Sequence, residues 1–253
     1  MVDHRERDSG DRDTGRLCHS WCRAPRGGLD RATTPPVTAS VGSRDTSSYS
    51  VVVETTGSNP RLGADERKEQ LLAAALETFG AKGFNATSMN DVAAAAGVTK
   101  PVLYQHFESK HQLYLELLSD IGASLITAIE EATQRAPGPR EQVEESLRAF
   151  FHFFGDEPAN FTVLFGEGVR SDEAFLDKLA MVEDAHTTLT ADLIDIESLS
   201  RDDRVVVAHS ISGMLEGAVR RWIQDGKRHS PDEVAELISE VAWRGLRGVG
   251  SGH

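Results

Sequence analysis

The stretch that decides the fold runs over residues 87–110 and reads TSMNDVAAAAGVTKPVLYQHFESK. It predicts two short helices, at residues 88–96 and 100–107, separated by Gly97. Glycine readily adopts the left-handed backbone conformation that a tight turn needs. Pro101 fits the first turn of the second helix, where its missing N–H would have no intrahelical partner. The pattern therefore predicts a helix-turn-helix.

The residues before this stretch predict a first helix over residues 65–81. Apolar side chains recur there at the spacing of one helical face, namely Leu71, Leu72, Ala75, Leu76 and Phe79. Gly80 and Gly83 are expected to end this helix. Thr87 is expected to cap the next one.

The rest of the chain is predicted to be helical almost without interruption. Further helices are expected at residues 110–135, 140–154, 158–167, 172–196, 201–225 and 231–248. Ser200 with Asp203, and Ser230 with Glu233, mark the starts of the last two. Because no segment alternates at period two, the expected fold class is all-α with about nine helices. Residues 63–110 are expected to form a three-helix domain, and residues 111–249 a C-terminal helical bundle for ligand binding and dimerisation.

Residues 1–62 are predicted to be a disordered tail, because they are polar and show no helical or strand period. Cys18 and Cys22 lie in this tail. They are too few for a zinc site and too close together for a useful disulfide. Bacterial translation can begin at valine codons, so the run at residues 51–53 is a candidate start. Residues 1–50 would then not be translated.

The formal net charge of −13 is unusual for a chain that approaches DNA, because phosphates attract cations. The acid is unevenly distributed. Residues 61–110 hold six Lys and Arg against six Asp and Glu, whereas residues 65–253 hold 18 against 32. A nearly neutral head can approach DNA while the acidic remainder stays in solvent. No apolar run approaches about 20 residues and no secretory signal is evident, so a cytoplasmic protein without a membrane partner is expected.

Residues 86–110 resemble the DNA-binding domain of the TetR family of transcriptional regulators. The family pattern occurs as Val92-Ala93, Ala96-Gly97-Val98, Leu103-Tyr104, His106-Phe107 and Ser109-Lys110. The resemblance covers residues 66–120, and the helical layout that follows also resembles the family. It implies a ligand-responsive DNA-binding regulator, a repressor that leaves its operator when a small apolar effector binds. No enzymatic activity, cofactor or metal is expected.

The resemblance also implies roles for individual residues. Residues 100–107 would lie in the major groove, with Lys100 and Tyr104 on phosphates, Gln105 on adenine and Val102 on a thymine methyl. The alternative is that Tyr104 is an ordinary surface aromatic and that Lys100 and Lys110 are ordinary solvated charges.

Further DNA contacts are implied at the flanks of the same helix. Thr99 occupies a DNA-facing position. Thr87 and Ser88 would offer hydroxyls and helix N-terminal N–H groups to a phosphate. Lys110 would hold another phosphate. Leu103 and Phe107 would face the core, and His106 is expected to make an interior contact rather than read a base.

One short helix reads only a few base pairs, so two copies about 34–36 Å apart are expected on a near-palindromic operator. The resemblance implies that the last two helices pair with those of a second copy, as a homodimer with a four-helix interface. Small residues there permit close approach, namely Ser212, Gly213, Gly217, Ala218, Ala242 and Gly245. The alternative is packing of the same residues within one chain.

Six of the ten phenylalanines lie between residues 150 and 165. They point around much of the helix at residues 140–154, so it must be covered on most sides. They form either plain core or the wall of an apolar ligand cavity. The candidate lining residues are Phe150, Phe151, Phe154, Phe161, Phe165 and Trp222.

Residues 101–107 and the Phe-rich helix are similar to TetR-type regulators of fatty-acid synthesis in actinobacteria. This similarity implies acyl-CoA or another lipid as the effector, although drug-type ligands fit the composition equally. Arg170, Arg220 and Arg221 are candidates for an anionic head group or are surface cations. His152, His186 and His209 would have to converge to hold a metal, and they are expected to be core or cavity residues instead.

Two other function classes compete with a regulator. A helical enzyme needs a catalytic constellation, and the chain lacks a G-x-S-x-G turn, a phosphate-cradling Gly-rich loop and H-E-x-x-H. A helical ligand carrier would share the Phe-rich bundle. It would have no use for Lys100 and Tyr104 on a helix-turn-helix.

Overall fold

The computed structural model of the 253-residue chain describes residues 63–250. These residues belong to one compact unit. The predictions made for residues 1–62, including the disordered tail, the two cysteines and the valine start, lie outside the described residues.

Residues 63–250 contain nine α-helices and one 3₁₀ turn, and none of them lies in a β-strand. The helices are α1 (Ala64–Ala86), α2 (Met89–Ala95), α3 (Lys100–His106), α4 (Lys110–Gln134), α5 (Pro139–Asp156), α6 (Pro158–Phe165), α7 (Glu173–Leu193), α8 (Arg201–Gln224) and α9 (Pro231–Gly250), with the 3₁₀ turn at Val169–Ser171. The predicted all-α class with an N-terminal helix-turn-helix is confirmed.

The end of α1 differs most from the prediction. Gly80 does not end the helix but lies where α6 crosses it, and a Cβ there would be 2.5 Å from the Cβ of Ala159. Gly83 does break the helix, because its φ of 76° lies in the left-handed region. A further turn follows it and carries Phe84. The prediction was therefore wrong for Gly80, whose role is close packing.

Side-chain caps fix the starts of three later helices. Ser200 and Asp203 form the predicted capping box of α8. Ser230 accepts a hydrogen bond from the Glu233 N–H at 3.2 Å, and the Glu233 carboxylate accepts one from the Ser230 N–H at 2.7 Å. Ser109 caps α4 by accepting from the Gln112 N–H at 3.1 Å.

Helix α4 runs through the core and contacts α1, α5, α6 and α7. Its buried face carries Leu113, Leu117, Leu118, Ile121, Leu125 and Ile129. By length and composition it is the one described helix that would be able to cross a membrane, a test that a buried core helix also meets. Packing against four neighbouring helices accounts for its apolar character.

An aromatic junction joins α1, α4 and α7. The Phe84 ring lies 4.8 Å from the Tyr114 ring and 5.0 Å from the Phe175 ring, measured between centroids. The Tyr114 hydroxyl donates to the Val163 carbonyl of α6 at 2.9 Å. Burial raises the pKa of that hydroxyl. Four helices therefore meet around one cluster of rings.

Helices α8 and α9 each bury one face and expose another. Helix α9 packs on α5, and α8 packs on α7. Val206 on α8 is 66 % exposed, and Leu237 and Val241 on α9 are 67 % and 55 % exposed. These large apolar side chains leave an uncovered surface on the last two helices.

Candidate nucleic-acid interface and ligand cavity

The turn between α2 and α3 is held by backbone bonds and one glutamine. Gly97 has the predicted left-handed conformation, with a φ of 65°. The Val98 N–H donates to the Ala93 carbonyl at 2.9 Å. Gln70 of α1 donates to the Ala96 carbonyl at 3.2 Å, a contact that the sequence did not indicate. These bonds set the angle at which α3 leaves the turn.

Helix α3 separates core residues from exposed ones within two turns. Leu103 and Phe107 are fully buried, as predicted, while Lys100 and Gln105 are exposed and Tyr104 is 42 % exposed. The Lys100 Nζ lies 5.6 Å from the Tyr104 ring centroid. The surface of α3 is therefore polar and aromatic, over an apolar underside.

The other residues predicted around α3 are divided between surface and core. Thr99 is exposed at the N-cap of α3 and its hydroxyl makes no capping bond. Val102 is half-buried. His106 is half-buried too, and its ring is tilted against Phe107 at 6.3 Å. This position of His106 agrees with an interior contact.

Ser88, and not Thr87, caps α2. The Ser88 hydroxyl accepts from the Asp91 N–H at 3.2 Å, and the Asp91 carboxylate accepts from the Ser88 N–H at 2.8 Å. Lys82 donates to the same carboxylate at 2.6 Å. The hydrogen bonds from Lys82, and then from Ser88, hold the pKa of Asp91 well below its usual range.

Thr87 is buried, which corrects its predicted role in DNA contact. Its hydroxyl donates to the Gly83 carbonyl at 2.8 Å and closes the last turn of α1. With only 2 % of the residue exposed, that hydroxyl has no access to a phosphate. Ser88, its neighbour, remains exposed.

Lys110 is half-buried and joins the start of α4 to the end of α1. Its Nζ donates to the carbonyls of Phe84 and Thr87, each at 2.9 Å, and lies 4.3 Å from the Phe84 ring centroid. An ammonium group has three N–H donors, so one remains for another partner. The sequence indicated a phosphate contact and missed this capping role.

Two adjoining cavities lie among α4, α5, α6, α7 and α8. Their volumes are about 130 Å³ and 320 Å³, and they share Phe165, Leu179, Glu183 and Glu216 as lining residues. Of the six predicted lining residues, Phe150 and Phe165 border a cavity.

The other four predicted lining residues are core, which corrects their assignment to the cavity. The Phe151 ring packs edge-on against Trp222 with a centroid distance of 6.0 Å, and Phe154 packs edge-on against Phe161 at 5.9 Å. The indole N–H of Trp222 donates to the His229 carbonyl at 2.9 Å. These rings fill the space between α5, α6 and α8.

The polar wall of the smaller cavity was not predicted as a unit. Its members are Glu183, His186 and Thr187 of α7 and His209, Ser212 and Glu216 of α8. The sequence signal was their spacing along one face of each helix, but which faces meet is a tertiary property.

The two imidazoles of this wall each contact a hydroxyl on the facing helix. Nδ1 of His186 lies 2.9 Å from the Ser212 hydroxyl, and Nδ1 of His209 lies 3.2 Å from the Thr187 hydroxyl. Burial lowers the pKa of His186 to about 4. His186 is therefore neutral at physiological pH.

The three histidines considered as metal ligands do not converge. His152 lies outside the cavity and contacts Asp156 and Asp232. Among residues 63–249, no group of three or more His, Cys, Asp or Glu side chains is arranged to hold a metal ion.

The three candidate arginines have different surroundings. Arg170 lines the larger cavity. Arg220 pairs with Glu216 one turn away, and its guanidinium lies 5.4 Å from the Phe161 ring centroid. Arg221 is exposed and pairs with Asp225 at 2.8 Å. Only Arg170 of the three borders a cavity.

Comparison with known proteins gives one consistent family. Residues 71–117 match the model of bacterial regulatory proteins of the tetR family. The chain is 30 % identical over 190 residues to the HTH-type transcriptional activator FasR of Mycolicibacterium smegmatis, over 75 % of this chain and 87 % of that protein.

Solved structures agree. A TetR-like transcriptional regulator from Rhodococcus sp. RHA1 is 31 % identical, with a TM-score of 0.61 over 74 % of this chain and all of that one. FadR of Bacillus subtilis, solved in complex with stearoyl-CoA, has the same fold at 16 % identity, with a TM-score of 0.61 over 69 % of this chain and 96 % of that one. The chain thus belongs to the TetR family and is a DNA-binding regulator of transcription.

Proposed function

We propose that this chain binds a near-palindromic operator as a homodimer in the cytoplasm and leaves the DNA when a small ligand with an apolar body fills the cavity. The observation that carries the proposal is the polarity of α3. Lys100, Tyr104 and Gln105 face solvent, while Leu103 and Phe107 anchor the helix from below. A helix exposed and oriented in this way suits the major groove.

The proposed DNA contacts divide into positioning and reading contacts. Lys100 and Tyr104 would hold phosphates, which gives affinity without sequence preference. Gln105 would read adenine, and Val102 a thymine methyl. Thr99 and Ser88 offer exposed hydroxyls to the flanking phosphates. Lys110 would offer its third N–H to a phosphate while its other two N–H groups stay bonded to the carbonyls at the end of α1.

The proposed dimer uses the uncovered surfaces of α8 and α9. Val206, Gly213 and Gly217 recur at helical spacing on α8, and a Cβ at either glycine would meet no atom within 4 Å. Leu237, Val241 and Gly245 recur in the same way on α9. A matching face on a second copy would remove these side chains from water.

Some of the small residues predicted for the interface are used within the chain. Ala242 is buried, and the Ser212 hydroxyl contacts His186 of α7. The proposal therefore keeps Gly213, Gly217 and Gly245 for the dimer and assigns Ser212 and Ala242 to packing within one chain.

The proposed coupling between cavity and DNA runs through α6. Phe165, at its end, lines both cavities. Its first turn touches α1 where Ala159 meets Gly80, and its Val163 carbonyl binds Tyr114 of α4. A ligand that moves α6 would thus shift α1 and α4, the two helices that hold the helix-turn-helix of α2 and α3. A preference of a few kcal/mol for the shifted state would weaken operator binding by tens to thousands of fold.

The residues that line the cavity indicate the chemistry of the proposed effector. Leu125, Phe150 and Phe165 offer an apolar surface to a hydrocarbon or aromatic body. An acyl-CoA is the lipid alternative, supported by the ligand of the FadR structure and by Arg170 at the larger cavity. Because the relative FasR is named an activator, the proposal concerns operator occupancy, and repression follows where the operator overlaps the promoter.

The test is a titration of labelled DNA from the protein's own promoter at two salt concentrations. Salt-sensitive binding of two chains per site, at least tenfold tighter than to random DNA, is expected. Lys100→Ala and Tyr104→Ala should each weaken binding, whereas Arg135→Ala at the far end of α4 should not. Equal affinity for promoter and random DNA, or full affinity in both α3 variants, would favour the carrier or enzyme alternatives.

A further inference from the structure

The smaller cavity has two chemically different walls. Leu125, Phe150 and Phe165 contribute apolar side chains from α4, α5 and α6. Facing them, α7 and α8 contribute carboxylates, imidazoles and hydroxyls. A ligand that satisfies both walls needs an apolar body and a polar end, and the polar wall identifies that end.

The polar wall carries two carboxylates, and in the described part of the chain only one of them is paired with a cation. Glu183 and Glu216 both line the smaller cavity, and no lysine or arginine does. Glu216 is held by Arg220. Glu183 has no ion-pair partner among the residues that the structure describes. Burial, and then the like charge of Glu216, raises the pKa of the Glu183 carboxyl. The charged form of Glu183 is thus disfavoured, and a bound cation would stabilise it.

The other polar groups offset little of this, because the charge of His209 lowers the pKa of the Glu183 carboxyl less than burial and Glu216 raise it. His186 is kept neutral by burial, and its Nδ1 is engaged by Ser212. The Nδ1 of His209 faces the Thr187 hydroxyl. These contacts leave Glu183 as the strongest acceptor in the cavity. The faces of Phe150 and Phe165 also attract cations through their ring quadrupoles.

We infer that the effector is an apolar amine, whose protonated nitrogen binds the Glu183 carboxylate while its hydrocarbon or ring body lies against Phe150, Phe165 and Leu179. This inference rests on the proposed function and specifies its ligand. An acyl-CoA fits the smaller cavity poorly, because its phosphates would face Glu183 and Glu216 across a partly desolvated space. Arg170 lines only the larger cavity and pairs with neither carboxylate in the smaller one.

The experiment compares three probes that share one chain length and differ in charge: octylamine, 1-octanol and octanoate. Calorimetric titration of the full-length protein at pH 7 should give an affinity for octylamine about tenfold or more above that for octanoate, with octanol between them. Glu183→Gln keeps the size of the side chain and removes its charge. It should lower the octylamine affinity by about tenfold and leave the octanol affinity unchanged.

The matched control is Asp184→Asn, which changes an adjacent exposed carboxylate on α7 that does not line either cavity. It should leave all three affinities unchanged, and an equal loss of octylamine affinity would reveal mere attraction to an acidic surface. The inference is overturned if octylamine does not bind, if octanoate binds as tightly, or if Glu183→Gln binds octylamine normally.

Operator binding without any probe is measured for each variant and separates this inference from the proposed function. Normal operator binding that is released by octanoate or by an acyl-CoA would leave the proposed function standing and refute the amine. Loss of operator preference in the wild type would refute the proposed function itself.

Discussion

The surface of α3 and the ligand cavity among α4 to α8 are built in opposite ways. Five of the proposed DNA-contacting side chains lie between Thr99 and Gln105, and two buried residues hold them in place. The cavity draws its walls from five helices, from Leu125 of α4 to Glu216 of α8. A single substitution on α3 can therefore abolish DNA binding. The cavity spreads its contacts over five helices, so a single substitution there should change ligand affinity only in part.

The largest expected contrast is in stability. Phe107→Ala removes a fully buried ring under α3, whereas Phe150→Ala removes a buried ring that borders an existing cavity. We expect Phe107→Ala to lower the free energy of unfolding by about 5 kcal/mol and Phe150→Ala by about 3 kcal/mol, because one side of the second ring already borders a cavity and has no packing to lose there. Chemical denaturation at fixed protein concentration measures both. Equal losses would remove the proposed contrast.

A smaller effect is expected from acid acting on the cavity side. Because burial lowers the folded-state pKa of His186 from 6.5 to about 4, the unfolded chain takes up a proton first as the pH falls. The free energy of unfolding should therefore decrease between about pH 6.5 and pH 4, by at most about 3 kcal/mol from this residue. Above pH 6.5 this contribution is fully present.

The variant His186→Gln isolates this contribution, and His152→Gln on the outer surface is its control. Unfolding curves at several pH values should be flatter between pH 6.5 and pH 4 for His186→Gln and unchanged for His152→Gln. Parallel curves for wild type and His186→Gln would show that the buried imidazole does not govern this range.

The smallest expected effect concerns the hydrogen bond between α4 and α6, through which the cavity is proposed to act on the DNA-binding helices. Tyr114→Phe removes the hydroxyl that donates to the Val163 carbonyl and leaves that carbonyl unpaired, at a cost of about 1–2 kcal/mol in unfolding free energy. Operator affinity without ligand should stay near that of the wild type. The ligand concentration that halves operator binding should rise. An unchanged ligand response would exclude this hydrogen bond from the coupling.

Sequence patterns predicted the helices and the exposed residues of α3 because both depend on neighbours three or four positions away. The turn glycine, Pro101 and the capping boxes are equally local. The capping role of Lys110 was missed because its partners are backbone carbonyls of Phe84 and Thr87, which no side-chain pattern marks. Thr87 was misjudged because Ser88 is an equally good cap one residue later.

The sequence offered plain core and an apolar cavity as alternatives, and the structure contains both. The many phenylalanines marked α5 and α6 in the sequence. They could not show that Phe150 lines the cavity whereas Phe151 is packed in the core. That distinction depends on how α8 crosses α5. The carboxylates at Glu183 and Glu216 look like solvated surface charges in sequence, and only the pairing of α7 with α8 brings them together.

The position of Phe84 restricts how this regulator can be recombined with its relatives. Its ring is enclosed by Tyr114, Phe175 and the Lys110 ammonium, so the aromatic packing at the end of α1 continues into α4 and α7. A chimera spliced just before Lys110 would take Phe84 from one parent and its three neighbours from another. A graft that carries all four residues from the same parent should preserve the transmission of the ligand signal.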